Sequence, residues 1–454
     1  MKTYTEQFIG GIWREGSGDS VLENRNPYTD ELLYTYRSAS RADIDDAYSA
    51  AIAAQREWAR VLPAAKATLF ERLRETIVAF APVIDECLIM ECGSPKSKRE
   101  MEKAGSVGLA RMCVRFPYQM EGKIQPSDTP GQENYIYRTP KGVVCVIAPW
   151  NVPFVLALRS VIPAIACGNA VVLKSSSDTP ASSFVIAEMF EQAGFPKGVL
   201  NVVAGAGREI GDYIVTHPSA SSISFTGSTE VGRRIGRLAG ESIKDVSLEL
   251  GGNNPFIVLG DADVGMAVAA GIPGAFFNQG QICMATNRII VVRERYDAFC
   301  TAFAGAVSDL KSGDPADDAV FVGPLINKKQ VDDVLALVEA TENAGARVLV
   351  RGELRGNLMT PWLFADVTND MPAAANETFG PVCSILRAED EDDAVRIANE
   401  TEYGLSSSVI TNDRWRGLQV ARRIESGMTH VNDSSIGTEP HVMFGGEKAS
   451  GLGR

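Results

Sequence analysis

Two short segments carry side chains that can do covalent and acid–base chemistry. In Phe277-Asn278-Gln279-Gly280-Gln281-Ile282-Cys283-Met284-Ala285, a cysteine sits among small, polar and glycine residues at the edge of an apolar, helix-like run. An exposed, deprotonated thiol there is a nucleophile, although on this segment alone the cysteine reads first as a small buried hydrophobe. In Glu249-Leu250-Gly251-Gly252-Asn253-Asn254-Pro255, a carboxylate ends a strand and paired glycines follow. Glycines let the backbone turn sharply or approach a ligand, so Glu249 can face a cavity; it can equally be a solvated side chain at a turn. A third segment, Thr226-Gly227-Ser228-Thr229 followed by Val231-Gly232-Arg233, places a helix start just after a strand. Backbone N–H groups at such a start receive phosphate, but each glycine taken singly is an ordinary turn residue.

These segments need elements to position them. Residues 7–37 carry Gly-Gly, Gly-Ser-Gly and Asn-Pro punctuation between short apolar runs, the pattern of an irregular arm with small strands. Ser40 with Asp43 three residues on predicts a capping box opening an Ala-rich helix to about Ala59. Pro63 suits the first turn of the next helix, and helical sequence continues to about Val114. From Gly142, β-branched runs at Val143 to Ala148, Ala170 to Leu173, Val199 to Val203 and Ser222 to Phe225 alternate with helix-length segments. That alternation is the βαβ signature, and it predicts a Rossmann-like domain. A second alternating block starts after Gly252, with strands expected at Phe256 to Leu259, Ile289 to Val292, Val348 to Val350, Val382 to Leu386 and Ser407 to Ile410.

The fold class is therefore α/β: a Rossmann-like cofactor domain over 1–119 and 140–251, and a catalytic α/β domain over 252–430. Residues 120–139, rich in Pro, Gly, Gln and Asp with the alternating Tyr135-Ile136-Tyr137, read as a linker or a protruding hairpin, and 431–454 as a returning segment. No solenoid repeat or low-complexity tract is present.

At 454 residues the chain is too long for one core, and its 45% apolar and 22% charged content is that of ordinary globular proteins. The net charge of −13 argues against a general affinity for nucleic acid or anionic membrane. The apolar stretches around Gly142 to Pro149 and Val264 to Phe277 are interrupted before the roughly 20 residues of a membrane span. No leader is evident at Met1, so a cytoplasmic location is expected. Eight cysteines without CxxC pairs and only three histidines support neither a disulfide scaffold nor a metal site.

Taken together and 34 residues apart, the Glu249 and Cys283 segments resemble the paired active-site signatures of the aldehyde dehydrogenase superfamily. The resemblance continues in order through Ala148-Pro149-Trp150-Asn151-Val152-Pro153, Leu173-Lys174, Ser224-Phe225-Thr226-Gly227-Ser228, Glu377-Thr378-Phe379-Gly380-Pro381 and Phe444-Gly445-Gly446-Glu447-Lys448-Ala449-Ser450-Gly451. It implies that Cys283 adds to an aldehyde, that the Asn151 amide and the Cys283 backbone N–H bind the resulting oxyanion, and that Glu249 activates water against the thioester. The presence of Glu249 favours release of a free acid over acyl transfer to another acceptor. The cofactor implied is NAD or NADP, with Gly227 and Ser228 near its pyrophosphate, Trp150 and Lys174 near the adenosine ribose, and Glu377 and Phe379 at the nicotinamide end. Gly205 and Gly251 match further family glycines of that site. An esterase side activity and a non-catalytic binding role on the same fold are the readings from other classes.

Two departures from the family pattern carry expectations. Many NAD-preferring relatives follow Lys174 with Pro-Ser-Glu, whereas this chain has Ser175-Ser176-Ser177. Ser177 removes a repulsion against a 2′-phosphate, which predicts that NADP⁺ is accepted, with the nearby Asp178 working against it. Family members also usually continue beyond Gly451-Leu452-Gly453-Arg454 with a strand that pairs with the 120–139 hairpin across subunits, so a homodimer or higher homo-oligomer is expected and a tetramer is in doubt. The stretch His430 to Ser435, followed by Glu439-Pro440-His441-Val442, is similar to benzaldehyde, vanillin and salicylaldehyde dehydrogenases, which implies an aromatic aldehyde, with aliphatic aldehydes and semialdehydes left open. His441 reads as a solvated or structural loop residue.

Overall fold

Ser40 caps helix α1 (Arg41–Trp58) by accepting from the Asp43 N–H, while the Asp43 carboxylate takes the Ser40 N–H, so the predicted capping box forms. This is a computed structural model, which describes residues 3–453. Ahead of α1 lie two hairpins, β1 (Glu6–Ile9) with β2 (Ile12–Glu15) and β3 (Val21–Arg25) with β4 (Leu32–Arg37). The N-terminal arm is thus more regular than its punctuation suggests, because β1 docks antiparallel on the edge of the large sheet. Helices α2 (Pro63–Ala79), α3 (Ala81–Cys92) and α4 (Lys96–Cys113) follow, with Pro63 in the first turn of α2 as expected. The 120–139 segment is a two-stranded hairpin, β5 (Lys123–Pro126) and β6 (Glu133–Ile136), whose strand residues are all exposed.

The expected βαβ block then appears. Its strands are β7 (Val143–Ile147), β8 (Ala170–Lys174), β9 (Leu200–Val203), β10 (Ala220–Thr226) and β11 (Asp245–Glu249). Helices α5 (Pro153–Ala166), α6 (Pro180–Ala193), α7 (Gly207–Thr216) and α8 (Thr229–Glu241) connect them. The strands lie parallel in the order β9-β8-β7-β10-β11. Phe70, Leu88, Phe154, Leu158 and Phe184 cover one face, and Ile44, Tyr48, Ile214 and Ile235 cover the other. Chain order reverses between β7 and β10, and in such sheets the crevice beyond the strand ends at that point is where ligands bind.

Beyond Glu249 the chain crosses to a second sheet through β12 (Asn254–Val258) and β13 (Thr286–Val292). Parallel strands Trp362–Ala365, Val382–Ala388, Ser406–Ile410 and Met428–Val431 extend it, and Arg347–Val350 closes one edge antiparallel. Gly451–Leu452 then returns to the first sheet and pairs with β11, setting Gly451 opposite Glu249. Among the described residues, no helix is long and apolar enough to cross a membrane. All eight cysteines are free thiols.

Candidate active site

The site forms where the carboxyl ends of β7, β10 and β11 meet the amino ends of β12 and β13. After β7 the chain turns through Pro149-Trp150-Asn151 into α5, and after β10 through Gly227 into α8. Gly227 lies directly over the Phe225 ring: a Cβ there would stand 2.5 Å from Phe225 Cζ. Ser228 caps α8 by accepting from the Val231 N–H at 3.4 Å.

The turn before Cys283 is built from unusual backbone. Asn278, Gln279 and Gly280 hold φ of 51°, 56° and 72° in succession, and side-chain bonds maintain it. Gln279 Nε2 donates to Pro324 O at 2.9 Å, Gln281 Oε1 accepts from the Ile326 N–H at 3.0 Å, and Asn278 Nδ2 donates to Asn151 O at 3.3 Å. A Cβ on Gly280 would lie 2.1 Å from Gly380 O, so only glycine fits. On the other side of the cysteine, Asn254 Nδ2 donates to both Cys283 O and Ala285 O at 2.8 Å. Gly252 approaches so closely that a Cβ would stand 2.3 Å from Cys283 O.

Cys283 lies at the junction of two cavities, and Asn151 and Leu156 also line both. The larger, about 410 Å³, runs along the crevice between β7 and β10 past Trp150, Gly227, Ser228, Gly251, Glu377 and Phe379. Trp150 and Phe379 meet edge to face with ring centroids 5.5 Å apart. The Glu377 carboxylate accepts from the Gly252 N–H at 3.0 Å, and a side chain at Gly251 would collide with it. Burial pushes Glu377 up to about 7 against that hydrogen bond. The smaller cavity, about 300 Å³, is walled mostly by apolar side chains, including Met101, Val155, Phe277, Ile282 and Phe444.

Charge around the thiol is unbalanced. Burial, then Glu377 and Glu249, pushes Cys283 up to about 12, and Arg159 opposes them. Glu249, at the end of β11 opposite Thr226, also acts on Arg159. Arg159 lines the smaller cavity with its guanidinium 4.4 Å from the centre of the Phe444 ring. Sequence reasoning missed Arg159. Its signal was a lone cation inside Pro153–Ala166, a run that is apolar apart from Arg159 and Ser160.

Eight of the twelve residues singled out in the sequence, Cys283, Asn151, Trp150, Gly227, Ser228, Gly251, Glu377 and Phe379, line the larger cavity. Glu249 is half-buried beside it. Lys174, Ser177 and Gly205 stand outside that lining. Lys174 is buried, donates to Ser175 O at 3.0 Å and is pushed down to about 8 by burial. Ser177 is half-buried, and its carbonyl accepts from the Tyr36 hydroxyl at 3.3 Å. Gly205 packs on the N-terminal arm, where a Cβ would lie 2.4 Å from Ser38 Oγ. His441 is exposed, 3.4 Å from Glu439, and faces a surface groove rather than either cavity. Among the described residues, no group of three or more His, Cys, Asp or Glu side chains is placed to hold a metal ion.

Residues 13–454 match the aldehyde dehydrogenase family. The chain is 48% identical over 453 residues to a vanillin dehydrogenase of Corynebacterium glutamicum, covering 99% of this chain and 94% of that protein. It is 46% identical over 450 residues to a benzaldehyde dehydrogenase of Bacillus subtilis, covering 99% of this chain and 93% of that one. The crystal structure of a NAD-dependent benzaldehyde dehydrogenase from Corynebacterium glutamicum superposes with a TM-score of 0.92 at 46% identity, over 95% of this chain and 94% of that chain.

Proposed function

The chain belongs to the aldehyde dehydrogenase family, and from that premise we propose that it oxidises an aromatic aldehyde to the carboxylic acid, with Cys283 as nucleophile. The observation that carries this reading is the position of Cys283, between a larger crevice of mixed polarity and a smaller, mostly apolar cavity. A planar ring suits the apolar cavity, and its aldehyde carbon then lies against the thiol.

The crevice fits NAD or NADP. The Gly227 N–H is spent on the Glu249 carbonyl, but the start of α8 beside it offers backbone N–H groups to a pyrophosphate, and Glu377 offers a carboxylate to ribose hydroxyls. When bound, the nicotinamide accepts the two electrons and the aldehyde hydrogen.

This chain's residues do the rest. Cys283 gives up its proton to solvent, and the thiolate adds to the carbonyl carbon to give a thiohemiacetal. The Asn151 amide and the Cys283 N–H donate to its oxyanion. Loss of the aldehyde hydrogen leaves a thioester on Cys283. Glu249 then takes a proton from water, hydroxide adds to the thioester, and the acid leaves as the thiol re-forms. Arg159 gives the cavity a cation, which suits a ring carrying an oxygen substituent; a semialdehyde carboxylate is the second reading that the same cation favours. The −13 charge and the lack of a membrane-crossing helix among the described residues support a cytoplasmic enzyme. Exposed Ile124, Tyr135 and Ile136 on the hairpin support homo-oligomers.

Reduced-cofactor absorbance tests the function. We expect turnover with benzaldehyde and hydroxybenzaldehydes to exceed turnover with aliphatic aldehydes and semialdehydes. Preference for a semialdehyde would replace the aromatic reading, and no reduction with any aldehyde would remove both.

A further inference from the structure

Helix α5 starts without a cap of its own. Its N-cap residue, Val152, supplies no side-chain bond, and Pro153 occupies the first turn, which leaves the Phe154 and Val155 N–H groups to find acceptors elsewhere. Both are taken by one carboxylate from α4: Glu102 Oε2 accepts from Phe154 N at 2.9 Å and from Val155 N at 3.1 Å. The other oxygen of Glu102 lies 2.5 Å from Lys98 Nζ, one helical turn away, and both side chains are fully buried. Lys98 in turn donates to Ser94 Oγ at 3.0 Å.

A buried ion pair is a poor source of stability, since apolar side chains of the same volume commonly do as well. What this pair does provide is a fixed, charged acceptor at one place. That place is the start of the helix that carries Val155, Leu156 and Arg159 into the cavity walls, directly after the turn that holds Asn151. The two helices are in close contact here, with a Cβ on Gly105 meeting Val155 Cγ2 at 2.9 Å. Met101, the neighbour of Glu102, lines the same cavity.

We propose that Glu102, paired with Lys98, is a positioning residue for the Asn151 amide: by pinning the first turn of α5 it sets where the oxyanion donor points. The inference rests on the reading of Asn151 as that donor. Glu102 touches no reacting atom, so on this reading its effect passes through Asn151 rather than through the α5 side chains that wall the cavity.

The test is a double-mutant cycle on the single-turnover rate of cofactor reduction, with Glu102→Gln, Asn151→Ala and the pair. Glu102→Gln keeps an oxygen acceptor and the side-chain volume while removing the charge. We expect it to slow the single-turnover step about 10- to 100-fold in the wild-type background, with the aldehyde KM and cofactor affinity little changed. In the Asn151→Ala background the same change should cost less than about 3-fold. Equal losses in both backgrounds, or no loss in either, would overturn the proposal. If Asn151→Ala alone leaves the rate unchanged, the reading of Asn151 fails instead. Lys98→Met, which keeps the carboxylate and removes its counter-ion, should give the same pattern of coupling if Glu102→Gln does not fold; additive losses there would also overturn the proposal.

Discussion

The Asn151 side-chain amide donates to the carbonyl of Gln281 at 3.0 Å, tying the turn after β7 to the turn that presents Cys283. Asn278 Nδ2 reinforces the tie by donating to both Asn151 O and Gln281 O. One N–H of the Asn151 amide is thereby spent on Gln281 O, which leaves the other for an oxyanion, and Asn151 lines both cavities. Asn151→Ala should lower the rate of thioester formation about 10²- to 10³-fold, the usual cost of one oxyanion donor, with cofactor binding unchanged. Stopped-flow measurement of the first turnover checks this.

The Cys283 thiol stands well above the ordinary thiol range because burial and two carboxylates disfavour its negative charge. The thiolate fraction should therefore rise about tenfold per pH unit, and iodoacetamide should alkylate Cys283 with that slope from about pH 7 to about pH 10 without a plateau. Glu377 acts on the thiol more strongly than Glu249, so Glu377→Gln should lower the thiol's pKa and speed alkylation across that range. Mass-spectrometric alkylation rates report both effects.

Arg159→Leu removes the cation from the apolar cavity while keeping a side chain to pack on Phe444. The expected result is a rise of about tenfold in KM for hydroxybenzaldehydes, roughly the value of one charged hydrogen bond, and a much smaller change for benzaldehyde. Paired steady-state kinetics on the two substrates separate a lost polar contact from a collapsed cavity.

Ser177 stands where many relatives carry an acid, and Asp178 beside it is engaged by the Asn327 amide at 3.1 Å. NADP⁺ should be accepted, and Ser177→Glu should cut kcat/KM for NADP⁺ about 10- to 100-fold while sparing NAD⁺. Equal effects on both cofactors would remove Ser177 from the 2′-phosphate site.

What the sequence made legible follows the range of the interactions involved. The Ser40 and Asp43 capping box spans three residues and could be read directly. Most of the parallel strands were visible because their β-branched runs are continuous, whereas Trp362–Ala365 and Met428–Val431, which carry no such run, were not. Cys283 looked like core material on its own segment and became a candidate nucleophile only through the ordered set of motifs. Arg159 was missed because its role depends on Phe444, which the fold brings to it from the far end of the chain. The Glu102 cap joins groups 52 residues apart, and no local pattern marks a carboxylate on one helix as the cap of another. Gly205 matches a family motif, yet its closest contacts are with Ser38 and Ile210, a packing relationship that spacing along the chain does not encode.

Cys283 should carry the substrate as a thioester that Glu249 clears. The direct measurement is intact-protein and peptide mass spectrometry of Glu249→Gln mixed with benzaldehyde and NAD⁺, with reduced cofactor counted in parallel. The account predicts one equivalent of reduced cofactor per site and a benzoyl group on the peptide containing Cys283, with steady-state turnover largely lost. Undiminished turnover with no adduct on Cys283 would contradict it.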